Sequence, residues 1–102
     1  EGQAPISIAP LILVETAYVL RSVYGVSRED VVAALVDLVG RLNIEVLGVE
    51  TGLVIQALGL CQASGRVSFA DAMLWAQARD LDQPIWTFDR NFPREGVQIR
   101  RP

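Results

Sequence analysis

A chain of 102 residues, 51% apolar and 21% charged, is suited to one packed domain rather than a disordered segment. Its net charge of −3 argues against a broad basic nucleic-acid footprint, although Arg90, Arg94, Arg100 and Arg101 crowd one end. With no His and the single Cys61, a zinc centre is all but excluded and an internal disulfide cannot form.

Any metal therefore needs carboxylates, which select hard ions such as Mg²⁺ or Mn²⁺. A lone thiol fits a reducing, cytoplasmic setting. The longest apolar stretch, Ile8 to Val14, is too short to cross a bilayer and runs into Glu15, so no membrane role is expected. No secretory leader is visible, and the first residue is Glu1 rather than Met, which suggests a processed, trimmed or excised chain.

In chain order, Ile6 to Ile8 is a short extended run between two prolines, and Pro10 suits a first helical turn. Leu11 to Tyr24 reads as a helix closed by Gly25. Ser27 and Asp30 have capping-box spacing, opening a second helix to about Leu42 with Val31, Leu35, Leu38, Val39 and Leu42 on one face. Ile44 to Leu47 is a strand and Thr51 to Ala63 a third helix. Ser68 and Asp71 repeat the cap spacing and start a helix to about Asp80. Pro84 to Phe88 is a strand, a Pro93-containing turn follows, and Val97 to Arg100 is a last strand. Strands alternating with helices predict one α/β domain with a mostly parallel sheet.

Three carboxylates stand in awkward places. Glu15 lies within Leu-Ile-Leu-Val-Glu-Thr-Ala-Tyr-Val-Leu, where nearly every helix face is apolar, and a carboxylate buried without partners loses its charge or costs several kcal/mol. Its ordinary reading is a surface residue on a narrow polar stripe with Tyr18 and Ser22. Asp71 occupies a helix-start position, where a negative charge suits the helix dipole, a role Asp30 plays at the same spacing. Unlike Asp30, it is flanked by Phe69, Ala70, Ala72, Met73, Leu74 and Trp75. Asp89 ends the strand Ile85-Trp86-Thr87-Phe88. That is an ordinary turn position, and also the end of a parallel strand where ligands collect.

Together three segments resemble the PIN domain, and within it the bacterial VapC-type toxin ribonucleases. The first runs from Ile6-Ser7 through Leu-Val-Glu-Thr-Ala-Tyr-Val-Leu-Arg-Ser-Val-Tyr-Gly, with Glu15 matching the family acid. The second is Ser-Phe-Ala-Asp-Ala-Met-Leu with Asp71, where Ser68 stands in place of a usual Asp. The third is Thr-Phe-Asp-Arg-Asn-Phe with Asp89 and Thr87. The likeness covers residues 5 to 101. The family's first strand, with its Asp-Thr-Asn-like motif and first metal-binding acid, has no counterpart upstream of Ile6, so the chain reads as an N-terminally truncated member.

The resemblance implies a three-layer α/β/α fold lacking its central strand, with Glu15, Asp71 and Asp89 as metal-binding and catalytic acids around Mg²⁺ or Mn²⁺. It implies that Thr87 orients Asp89 or a metal water, while Arg90 and Arg94 meet substrate phosphates or a partner's acids, or are simply solvated. It implies an RNA substrate, a cognate antitoxin and a homo-oligomer, with weak or no ribonuclease activity from a chain lacking one ligand. Two other readings stay open: a non-catalytic interaction module, and a different small Mg²⁺-binding fold of the receiver type. The latter is disfavoured because no Asp follows a first strand and the chain has no Lys.

Overall fold

The computed structural model describes residues 4–101. Eight elements follow in the order β1 (Ile6–Ile8), α1 (Pro10–Ser22), α2 (Arg28–Val39), β2 (Ile44–Val46), α3 (Thr51–Ala63), α4 (Phe69–Leu81), β3 (Ile85–Trp86) and β4 (Ile99–Arg100). Each helix begins where the local chemistry says it should. Pro10 opens α1, and the Ser27 hydroxyl accepts from the Asp30 amide at 3.1 Å. Both Glu50 oxygens accept amides of the first turn of α3, a cap that sequence spacing did not suggest. The Ser68 hydroxyl accepts from the Asp71 amide at 3.0 Å.

The second helix stops at Val39, three residues short of expectation: Gly40 is its C-cap, and the next amide, of Arg41, bonds only three residues back to the Leu38 carbonyl at 3.3 Å. Leu42, expected on the buried face, is 95% exposed, while Val32 is buried beside Val31, Leu35 and Val39. The core lies among the four helices. α3 packs against α4 and α2, and α1 packs against α4 and α2. Leu13, Ala17, Val31, Val54, Leu58, Cys61, Ala72 and Trp75 are fully or nearly fully buried there.

The fold is α/β with parallel strand pairing throughout, and the strands form two separate pairs. β1 pairs with β2, Ile6 opposite Ile44, and β3 pairs with β4, Ile85 opposite Ile99. In the first ladder Ile6 and Ile8 bond toward β2, so the amide and carbonyl of Ser7 face the other edge. In the second, Ile85 and Thr87 bond toward β4, leaving the Trp86 backbone on the free edge. No strand among the described residues joins the two pairs.

The last pair is tied to α4 by two side chains, since Arg79 Nη1 donates to the Glu95 carbonyl at 3.4 Å alongside Trp75. Trp75 Nε1 donates to the Glu95 carbonyl at 2.8 Å, and Arg79 stacks over the Trp75 ring at 5.4 Å. Gly96 follows with φ +71, a left-handed conformation that selects glycine.

Candidate active site

Asp71 lies in the first turn of α4, placed by the Ser68 cap on its own amide. Asp89 lies three residues past β3 in a turn built by side chains. Its amide donates to Thr87 Oγ1 at 3.0 Å, its Oδ1 accepts from the Asn91 amide at 2.8 Å, and its carbonyl accepts from the Phe92 amide at 3.3 Å. Phe92 is buried and pins the turn to the core.

The two carboxyl groups meet within hydrogen-bonding reach. Partial burial first, then the hydrogen bond with Asp89 and its negative charge, push the Asp71 carboxyl up to about 6; the Ser68 hydroxyl opposes the rise. Asp89 is held below the ordinary carboxylate range, chiefly by the hydrogen bond from Asp71, then by the Asn91 amide, with the positive charge of Arg101 adding to them. In mildly acidic solution the pair is therefore one carboxylic acid donating to one carboxylate. Above about pH 6 it becomes two charges held together by the fold.

Glu15 is not part of this pair. It is exposed on α1, beside a shallow groove with Thr16, Val19 and Leu20. Leu11, Val14, Ala17 and Tyr18 of α1 line clefts shared with residues of α4, and Glu15 lines neither of them. The expectation that apolar neighbours would bury it is not met. Tyr18 and Ser22, its expected polar stripe, are exposed too. Among the described residues no three of His, Cys, Asp or Glu are grouped so as to hold one ion.

Thr87 is where expected, half-buried and bonded to the Asp89 amide. Arg90 and Arg94 are exposed on the turn. Sequence reading did not single out Arg101, whose Nη1 donates to the Thr87 carbonyl at 3.1 Å and whose charge acts on Asp89. It lies twelve residues beyond Asp89 and comes near it only through the β3–β4 ladder. Arg28 was also missed. It stacks over Phe69 at 5.1 Å and donates to the carbonyls of Cys61 and Val67 at 3.2 and 2.9 Å, fastening α2 to the segment that leads into Ser68. Burial pushes the Cys61 thiol up to about 11, which keeps it protonated and unreactive.

Compared with known families, residues 1–96 match the model of the PIN domain. The chain belongs to the PIN-domain family. No curated protein and no solved structure matches it. PIN domains are nuclease-type domains that generally act on RNA or other nucleic acid and depend on a divalent metal ion. The residues present suit such an ion: two oxygen-only donors converge, one of them reluctant to ionise beside the other, and a divalent cation would relieve that repulsion. No helix among the described residues is long and apolar enough to cross a membrane.

Proposed function

We propose that this PIN domain is a VapC-type, Mg²⁺- or Mn²⁺-dependent endoribonuclease module, the toxin of a cytoplasmic toxin–antitoxin pair, with weak or no activity as this chain alone. The observation that carries the reading is the Asp71–Asp89 carboxyl pair beyond the carboxyl end of β3. Asp71 and Asp89 would hold the ion, without Glu15, which is exposed on α1 and not grouped with them. Once bound, the ion supplies positive charge to the phosphate under attack and activates water. Two carboxylates plus water suit Mg²⁺, but a two-acid donor set holds it loosely, which is why activity is expected to be low.

The chain's own residues do the rest. Asp71 must give up its proton before the pair can take up a divalent ion, so binding weakens below about pH 6. Thr87 keeps Asp89 in its turn through the 3.0 Å bond to the Asp89 amide. Arg90 and Arg94 face solvent beside the acids, available to substrate phosphates or to the acids of an antitoxin. The test is Mn²⁺ uptake by calorimetry together with cleavage of single-stranded RNA. Weak uptake and slow, Mn²⁺-dependent cutting, both lost in Asp89→Asn, are expected. Uptake unchanged in Asp89→Asn would reject the site.

A second reading, a non-catalytic interaction module that forms a homodimer or receives an antitoxin segment, has its own support. Among the described residues Ser7 and Trp86 present backbone groups on the free edges of β1 and β3, and Ile6, Leu11, Ile12, Trp86 and Phe88 are exposed. Free edges of this kind recruit other strands. A chain that takes up Mn²⁺ at the pair but never cuts RNA favours this reading.

A further inference from the structure

The net charge of −3 repels a polyanion, so a substrate phosphate brought to Asp71 and Asp89 needs a cation placed for it. Continuing the β3–β4 register by one residue sets Arg101 opposite Thr87. Side chains alternate along a strand, so Arg101 shares the Thr87 side of the ladder, the side whose hydroxyl takes the Asp89 amide, while Arg100 points the other way with Trp86. One guanidinium N–H is fixed on the Thr87 carbonyl at 3.1 Å. Arg101 is exposed, and no ion pair within 4.0 Å ties it to a carboxylate among the described residues; the pair Arg41–Asp37 lies elsewhere. A guanidinium carries five N–H donors in a rigid fork, so four remain for a ligand.

We propose that Arg101 is the residue of this site that contacts a phosphate of single-stranded RNA, holding the backbone against the Asp71–Asp89 pair. This rests on the nucleic-acid reading of the PIN domain and extends it to a residue that Arg90 and Arg94 overshadow in the sequence. Those two sit on the exposed turn with no side-chain hydrogen bond among the described residues, whereas Arg101 is already anchored at one N–H. Anchoring lowers the entropy lost when a phosphate is grasped. The rival role is a clip that only fastens β4 to β3, which would act on stability and not on charge.

The experiment is fluorescence anisotropy of a labelled single-stranded RNA oligonucleotide, titrated over a series of KCl concentrations without divalent metal. The proteins are the wild-type chain, Arg101→Gln and Arg101→Lys, each checked for an unchanged unfolding temperature. Arg101→Gln is expected to weaken binding about ten-fold and to lower the slope of log affinity against log salt by about 0.7, the loss of one phosphate contact. Arg101→Lys keeps the charge and should keep the slope while losing part of the affinity. A slope and affinity in Arg101→Gln equal to wild type overturns the role of Arg101 and leaves the nuclease reading standing. Wild-type chain with no salt-dependent RNA binding overturns both this role and the RNA substrate, whatever Mn²⁺ does at Asp89.

Discussion

Asp71 occupies the helix-start position without using its carboxylate as the cap. The Ser68 hydroxyl takes the Asp71 amide, and the carboxyl turns to Asp89. Its proton is held to about pH 6 in the fold and to the ordinary value of 3.8 in the unfolded chain, so the folded state binds more protons between these values. Stability from this group is therefore complete below about pH 4 and is lost as pH rises through about 6. Asp89 works in the opposite sense: its contribution is present above its ordinary value and fades in stronger acid. The unfolding temperature should rise as pH falls from 7 to 5 and fall again below about 4. Asp71→Asn should flatten the upper branch, leave the pH 7 value equal to or above wild type, and abolish Mn²⁺ uptake. A lower unfolding temperature for Asp71→Asn at pH 7 would show that the carboxylate supports the helix instead.

At the scale of the elements, Ser27 and Ser68 form a matched pair. Both hydroxyls cap a helix through an Asp amide three residues on, at 3.1 and 3.0 Å. Only Ser68 stands beside the acid pair. Replacing either serine with Ala should cost about 1 kcal/mol in urea unfolding, the usual loss for a removed cap. Ser68→Ala alone should change the pH at which Mn²⁺ uptake falls off, because its hydroxyl opposes the rise in the Asp71 carboxyl. Equal uptake profiles for the two variants would mean that cap and site are independent. These caps were legible because they depend on residues three apart. The Arg28 and Arg101 contacts were not, since Arg28 bonds carbonyls 33 and 39 residues away and Arg101 one 14 residues away.

For the whole molecule, each parallel pair has a free edge, at Ser7 in β1 and at Trp86 in β3, whose backbone groups are unpaired among the described residues. Trp86 is 71% exposed and Phe88 77%, an unusual display for aromatic residues on a strand and its extension. Two-stranded pieces are marginal in water, and additional pairing lowers the cost of the free backbone groups. The chain is expected to associate with itself through these edges. Light scattering should give a mass above that of a monomer that rises with concentration, and Trp86→Arg should shift the population toward monomer. A monomer at every concentration would remove the edges as an assembly surface.

By itself the sequence determined the alternation of helices and strands, the helix starts at Pro10, Ser27 and Ser68, and the acid motifs that carry the family resemblance, because each is written within a few residues. It also limited the metal to oxygen ligands, through the absence of His. Only the tertiary structure decided which carboxylates meet. Asp71 and Asp89 come together because α4 runs directly into β3 and the Asp89 turn is pinned by Phe92. Glu15 stays apart because each residue along a helix turns a side chain through about 100°, and the face of α1 that is buried is that of Leu13 and Ala17. The rotation of a helix about its axis is set by what packs against it, and apolar residues on every side of α1 left that choice open in the sequence.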